Sequence, residues 1–311
     1  TVGGILSVEL ADFDNDGDLD IISGTENDEN YELIMWRNGD DPFDGTWTQF
    51  DVGTTTGSIE ALSIGDYDDD GLIDISAATG VGSDDIKVWK NDGSPWDGNT
   101  WSSNTVGEPT TETYDLQSAD FDNDGDIDLA ISTNAAENYE LILWQNDGSP
   151  FTGTWSQNDI GTAQGNLRTI SIGDLDNDGD IDIAAAEGNT GDSSSYEVKV
   201  WENDGSPFSG TWASNDVASV DHDMEELQLA DFDRDGDLDI ALVIDQSTAD
   251  LYAFLNDGTP FSGDWSETTI GFSSHYSLDI DTGDLDNDGD IDIAMVAYSN
   301  EDYEVIIWEN T

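Results

Sequence analysis

An all-β repeat fold, a six-bladed β-propeller of four-stranded antiparallel blades, is predicted for this chain on three observations. An acidic motif recurs six times in 311 residues, beginning at Asp12, Asp66, Asp120, Asp174, Asp231 and Asp284, at spacings of 54, 54, 54, 57 and 53 residues. A second motif travels in phase with it: Trp36-Arg-Asn-Gly, Trp89-Lys-Asn-Asp-Gly, Trp144-Gln-Asn-Asp-Gly, Trp201-Glu-Asn-Asp-Gly, Phe254-Leu-Asn-Asp-Gly and Trp308-Glu-Asn. Between the two, apolar residues alternate or form short β-branched runs bounded by turn residues, as in Leu167-Arg-Thr-Ile-Ser-Ile172 and Tyr196-Glu-Val-Lys-Val-Trp201, a strand pattern too short for helices.

Each unit reads as four strands. The first leads into the acidic loop, the second leaves it, the third carries the Trp-x-Asn ending, and the fourth follows a second Trp (47, 101, 155, 212 or 265) after a Pro-aromatic-x-Gly turn. A lone four-stranded sheet cannot bury both its faces, so successive units must pack on one another, and a ring of such sheets is a propeller. The period is nearer to that of a propeller blade than to a β-solenoid rung. The repeats fall at about 1–53, 54–107, 108–161, 162–217, 218–271 and 272–311, within one domain. The last unit stops after its third strand, so its outer edge is expected to be open, and an open edge invites pairing with another chain. Thr1-Val2-Gly3 aligns with the tail of a fourth strand, as in Thr105-Val106-Gly107. Whether flanking sequence adds a seventh blade stays open at this point.

Composition narrows the function classes. Seventy-two acidic residues face six basic ones, a formal net charge of −66, which excludes a nucleic-acid backbone or an anionic membrane as partner. Divalent-cation binding and life in a salty medium both account for such acidity. With 36% hydrophobic residues and eleven Trp there is material for a packed core. No cysteine is available for a disulfide, so metal is the natural staple. No apolar run reaches the roughly 18 residues of a membrane span, so no membrane insertion is expected. A start at Thr1, with neither Met nor leader, reads as a processed signal peptide or a segment of something longer.

Every acidic loop has the pattern D-x-D-x-D-G-x-x-D. Alternate carboxylates on a tight loop converge on one point, the Gly allows the sharp turn, and hard oxygen donors suit calcium. Lacking His and Cys, the loops should reject zinc. The pattern begins like an EF-hand, but Ser23, Ala77, Ile131, Ala185, Leu242 and Met295 stand where the twelfth-position Glu would be. Set between strands, the loop resembles that of FG-GAP or VCBS-type repeats, the family that includes the integrin alpha-subunit propeller. The resemblance spans essentially the whole chain. Ala-Asp-Phe-Asp or Gly-Asp-Leu-Asp replaces the Phe-Gly and Gly-Ala-Pro signature of eukaryotic members, which is closer to a bacterial or archaeal surface protein.

The resemblance implies about six bound calcium ions. Their carboxylate ligands would be Asp12, Asp14, Asp16 and Asp20; Asp66, Asp68, Asp70 and Asp74; Asp120, Asp122, Asp124 and Asp128; Asp174, Asp176, Asp178 and Asp182; Asp231, Asp233, Asp235 and Asp239; and Asp284, Asp286, Asp288 and Asp292. Seventh-position main-chain carbonyls would come from Asp18, Leu72, Asp126, Asp180, Asp237 and Asp290. The competing reading, a solvated acidic turn, leaves like charges crowded together without a cation.

The remaining residues point away from catalysis. Six equivalent blades build no single catalytic constellation, and His222 and His275 are the only histidines. Arg234 lies at a non-ligand loop position and is expected to pair locally with Asp. The insertion at 188–195 reads as a surface loop. The recurring Trp residues read as packing between sheets, and Trp96, outside the pattern, is the one expected to be exposed. The chain is therefore expected to be a calcium-stabilised extracellular or cell-surface structural or adhesion module, not an enzyme, and a subunit of a surface layer or fibre. Its expected partners are other protein chains, through the open last blade, or surface glycans. A lectin-like propeller and a polysaccharide-acting enzyme using His222 and His275 are the alternatives.

Overall fold

A computed structural model describes residues 4–26, 31–39, 42–43, 45–55, 57–80, 86–98, 100–109, 111–134, 139–163, 165–188, 196–220, 222–244, 249–273, 276–299 and 302–311. Among them every regular element is a β-strand. Blade 1 is β1 (Gly4–Ala11), β2 (Asp20–Glu26), β3 (Tyr31–Arg37) and β4 (Thr48–Thr55); blade 2 is β5 (Ile59–Gly65), β6 (Asp74–Thr79), β7 (Ile86–Lys90) and β8 (Ser102–Gly107). Blade 3 is β9 (Thr113–Ala119), β10 (Asp128–Thr133), β11 (Tyr139–Gln145) and β12 (Ser156–Ala163); blade 4 is β13 (Asn166–Gly173), β14 (Asp182–Gly188), β15 (Tyr196–Glu202) and β16 (Ala213–Val220). Blade 5 is β17 (Met224–Ala230), β18 (Asp239–Ile244), β19 (Ala249–Leu255) and β20 (Ser266–Ser273), and blade 6 is β21 (Tyr276–Gly283), β22 (Asp292–Ser299) and β23 (Asp302–Trp308).

The strands of each blade follow chain order and pair antiparallel, giving five four-stranded sheets and a three-stranded sixth. This is the six-bladed β-propeller class, and among the described residues the last blade has three strands, as expected. The chain divides into two compact units, one of residues 1–136 and 141–159, the other of residues 137–140 and 160–311.

Sequence pattern explains which strand is central. β6, β10 and β18 are buried along their whole length, because their runs (Asp-Ile-Ser-Ala-Ala-Thr in β6) carry apolar or small residues on both faces. In the first unit, blades 1 and 2 bury Phe13, Ile22, Leu33 and Met35 against Ile59, Leu62 and Trp89, and blades 2 and 3 bury Tyr67, Val88 and Val106 against Leu129, Trp144 and Trp155. In the second unit, Leu175, Val200 and Leu227 with Phe254 form one such layer, and Leu251, Ile280 and Ile293 belong to the next.

The repeated Trp of the Trp-x-Asn motif is a packing residue, as the sequence implied. Trp89 and Trp201 are 2% exposed and Trp144 is 6% exposed. Trp144 of blade 3 packs directly on Gly107 of blade 2, where a Cβ would overlap the six-membered ring of the indole. Gly53 meets Trp89 and Gly271 meets Trp308 just as closely, at the indole nitrogen, which accounts for the Gly in these outer strands.

Trp96 corrects an expectation. It is half-buried against the core of blades 1 and 2, with its Nε1 donating to Asp14 Oδ2 at 2.5 Å, its ring 5.0 Å from that of Phe50, and the Arg37 guanidinium 5.6 Å above it. Among the described residues the most exposed aromatic side chains are Phe43 and Phe272 instead. His222 is exposed, whereas His275, residues 189–195 of the insertion and Thr1-Val2-Gly3 lie outside the described residues.

Candidate metal centres

Each acidic loop is a self-capped turn. The first carboxylate accepts two backbone hydrogens: Asp12 Oδ1 from Asp16 N at 3.0 Å and Oδ2 from Gly17 N at 2.8 Å, with the same pair at Asp66, Asp120, Asp174, Asp231 and Asp284. The fifth carboxylate accepts from the seventh amide, as Asp16 Oδ1 does from Asp18 N at 3.0 Å. The chain achieves this by turning left-handed twice. The fourth residue has φ between 57° and 64° (Asn15, Asp69, Asn123, Asn177, Arg234, Asn287), and the sixth is Gly with φ between 87° and 99°. Asn and Asp tolerate that region and Gly is at home there, so the pattern carries a backbone requirement beside its charges.

The ninth Asp sits at the start of the central strand and is the most buried carboxylate. Asp74, Asp128, Asp182 and Asp239 have no exposed surface, and Asp20 has 1%. Asp74 Oδ1 accepts from Asn91 N at 2.8 Å and Oδ2 from Tyr67 N at 3.1 Å, a pairing repeated in each blade. Burial nevertheless dominates its titration. It pushes the carboxyl up to about 6 at Asp20 and Asp239, about 7 at Asp74 and Asp182, and about 8 at Asp128. The backbone donors oppose the shift, and the third and fifth carboxylates add to it.

In the loops beginning at Asp12, Asp120, Asp174 and Asp231, oxygens of the first, third and ninth Asp lie within 4.8 Å of one another. In the second loop Asp66, Asp68 and Asp70 do so. At the third position Oδ1 of Asp14, Asp68, Asp122 and Asp176 is buried and accepts no hydrogen bond. A buried carboxylate oxygen without a donor is costly, and the same orphan in four loops fits a cation. The donor set, oxygen throughout, is that of a hard cation such as calcium.

The Trp-x-Asn motif proves to be part of the same machinery, a link that sequence reasoning had not made although the phase of the two motifs was its signal. Asn91 donates its backbone hydrogen to Asp74 and two side-chain hydrogens to Phe13 O at 2.9 Å and Ile73 O at 3.2 Å, while its Oδ1 accepts from Gly93 N at 3.0 Å. Asn146 and Asn256 repeat the set in blades 3 and 5. The residue between Trp and Asn faces the third and fifth carboxylates, and it differs from blade to blade. Arg37 Nη2 lies 2.8 Å from Asp14 Oδ2 and 3.3 Å from Asp16 Oδ2; Lys90 Nζ pairs with Asp68 and, at 2.8 Å, with Asp70; Gln145 Nε2 donates to Asp122 Oδ2 at 2.8 Å. Glu202 stands there in blade 4, and the negative charges of Asp176 and Asp178 help burial to raise its carboxyl above the usual range. Arg234 does pair with an Asp, but with Asp290 of the next blade's loop and not locally as expected.

Antiparallel blades carrying one self-capped carboxylate loop each define a β-propeller with repeated cation-type loops. The FG-GAP-like repeat family model matches residues 12–77, 120–185, 174–242 and 231–295, and the chain belongs to that family. No curated protein matches the sequence significantly. Two solved structures of a humanized mutant of Polycomb Repressive Complex 2 from Chaetomium thermophilum, with different inhibitors bound, share the fold at TM-scores of 0.59 and 0.62. Both are 9% identical, with 99% of this chain and 68% of that one covered. The V. cholerae biofilm matrix protein Bap1 is similar at a TM-score of 0.52 and 12% identity, over 90% of this chain and 41% of its own. The present chain thus spans less than half of Bap1.

Proposed function

We propose that this chain is a calcium-stabilised structural or adhesion module that works outside the cell, with no catalytic role. The observation that carries the reading is the buried, unsatisfied third-position oxygen beside two further carboxylates in loop after loop. Calcium would supply the positive charge that lets the first, third, fifth and ninth Asp remain ionised together. The chain's own residues do the rest. The first Asp shapes the turn through its two amide bonds, the ninth anchors the loop to the central strand, and Asn91, Asn146, Asn256 and Asn310 each tie their loop to the preceding blade.

Weak oxygen sites of roughly 10⁻⁴ to 10⁻³ M suit extracellular calcium, and the recurrence of FG-GAP-like repeats together with a fold also used by a biofilm matrix protein supports a surface location. Partners are other protein chains or surface glycans, with the three-stranded blade as the point of attachment. Thermal melts with calcium and with EDTA are the direct test. Each occupied site adds RT ln(1 + [L]/Kd) to stability, so chelation should lower the melting temperature sharply; an unchanged melt, with no metal found by elemental analysis, would sink the proposal.

A further inference from the structure

We propose that the fourth residue of an acidic loop is a positioning residue for the cation centre of the next blade, and that through Asn177 and Arg234 the centres of blades 4, 5 and 6 fill cooperatively. The inference rests on the reading of these loops as calcium sites, and adds which sites act together and by what link.

The fourth residue lies between the third and fifth Asp, both implied ligands, and its backbone is held in the left-handed region by the turn. Its side chain nevertheless serves the neighbouring loop. Asn177 Nδ2 of blade 4 donates to Asp237 Oδ1 of blade 5 at 2.9 Å and to Gly236 O at 3.3 Å. Arg234 of blade 5 repeats the reach into blade 6, where Nε donates to Gly289 O at 3.2 Å, Nη2 donates to Asp288 O at 3.3 Å, and the guanidinium pairs with Asp290. Asn15 Nδ2 of blade 1 lies 3.5 Å from Gly71 O of blade 2, a longer version of the same contact.

These contacts fall on a peptide that is already anchored. The carbonyl of the sixth Gly and the amide hydrogen of the seventh residue belong to one planar unit. Its amide end is held by the fifth carboxylate, since Asp237 N donates to Asp235 Oδ1 and Asp290 N to Asp288 Oδ1, both at 3.0 Å. The peptide is therefore fixed from two sides, by a ligand of its own loop and by a side chain from the loop before. The next carbonyl along, that of Asp237 or Asp290, is the implied main-chain ligand. A loop ordered by a cation presents its fourth residue in a fixed place, so the following loop has less freedom to lose when it binds in turn, which is positive coupling.

Blades 2 and 3 supply the contrast. The fourth residue of the blade 2 loop is Asp69, with the same left-handed turn at a φ of 61°. An ionised carboxylate has no hydrogen to donate, and the charge of Asp69 acts on Asp126 of the blade 3 loop. Cooperative filling is therefore expected of blades 4 to 6 and not of blades 2 and 3.

Hydrogen exchange with mass spectrometry, followed through a calcium titration of the whole chain, reads the loops separately in peptides covering 174–182, 231–239 and 284–292. Asp176→Ala removes a ligand from the blade 4 loop. It should raise the calcium midpoint for protection of 231–239 about fivefold or more, although every carboxylate of that loop is intact. Asn177→Gly keeps the turn and the charge but removes the donor, and in that background Asp176→Ala should no longer shift the midpoint. Arg234→Asn, which copies Asn177, should let 284–292 fill at lower calcium than Arg234→Gly, a variant of equal charge. A 231–239 midpoint indifferent to Asp176→Ala, or a shift that survives undiminished in the Asn177→Gly background, overturns the proposal, as does equal filling in the two Arg234 variants. That Arg234 pair leaves every ligand in place and decides the matter alone if Asp176→Ala does not fold. Protection of the parent loops by calcium without coupling defeats this proposal only, whereas a parent chain in which no loop gains protection defeats the functional reading and this proposal with it.

Discussion

Asn91 Nδ2 and the carbonyl oxygen of Phe13, 78 residues apart, are joined by a 2.9 Å hydrogen bond that fastens the metal-type loop of one blade to the third strand of the next. The same side chain also holds Ile73 O and Gly93 N, and it has no exposed surface. Replacing Asn91 by Ala leaves two carbonyls and an amide without this partner, the Phe13 carbonyl in a dry interior. At about 1 kcal/mol for each lost bond, Asn91→Ala should cost about 3 kcal/mol, read as a lower urea midpoint with an unchanged slope. Asn310→Ala, at a half-buried clasp that bonds Phe232 O and Asp292, should cost less.

The buried ninth carboxyls predict a pH dependence whose sign depends on the cation. Without metal their folded pKa values, about 6 to about 8, lie above the ordinary carboxyl value of 3.8. Folding then takes up protons. The associated stability is fully present below the unfolded pKa and is lost as pH rises through the folded values. In EDTA the melting temperature should therefore fall between about pH 5 and about 8. With saturating calcium, which favours the ionised form, the fall should be absent or reversed. Asp74→Asn should flatten the EDTA profile, and a profile in EDTA that rises with pH would refute the assignment.

Lys90 offers a cation that the protein supplies itself. Its ammonium pairs with Asp68 and Asp70, and these two hold its pKa above the usual lysine range despite partial burial. An incoming calcium ion must displace it. Lys90→Gln, which copies Gln145 of the third loop, should therefore raise calcium affinity at the second loop, about tenfold for each 1.4 kcal/mol of lost competition. Calorimetric titration of the variant against the parent chain checks this, and unchanged affinity would show that the ammonium stands aside at no cost.

Gly107 tests the role of the repeated Trp. A methyl group there meets the buried ring of Trp144, which the surrounding core leaves little room to move. Overfilling of this kind costs about 1–3 kcal/mol. Gly107→Ala should lower the melting temperature even in saturating calcium, whereas Gly283→Ala, where a Cβ meets nothing within 4 Å, should have little effect.

Most of this architecture was legible in the sequence because it is periodic. Blade number, strand order and the packing of the repeated Trp all follow from motifs in phase. What stayed hidden was the wiring between motifs. Nothing in the spacing of Asp74 and Asn91 says that one accepts the other's amide, since that contact depends on how β6 and β7 pair. Trp96 was misjudged for a related reason. It looked like an outlier because it replaces a Phe, yet it occupies that Phe's half-buried position, and its extra nitrogen reaches Asp14. The residues between Trp and Asn, from Arg37 to Glu202, could be read but carried no meaning until the third strand placed them over the carboxylates.

The Asn clasp reaches back by one blade and no further wherever the structure describes it: Asn91 to Phe13, Asn146 to Tyr67, Asn256 to Leu175, Asn310 to Phe232. Coupling of this range makes stability a sum over neighbours rather than a property of the whole. A lesion in one loop should therefore loosen two adjacent sheets and leave the others folded, so that the molecule yields to a protease or a pulling force one sheet at a time.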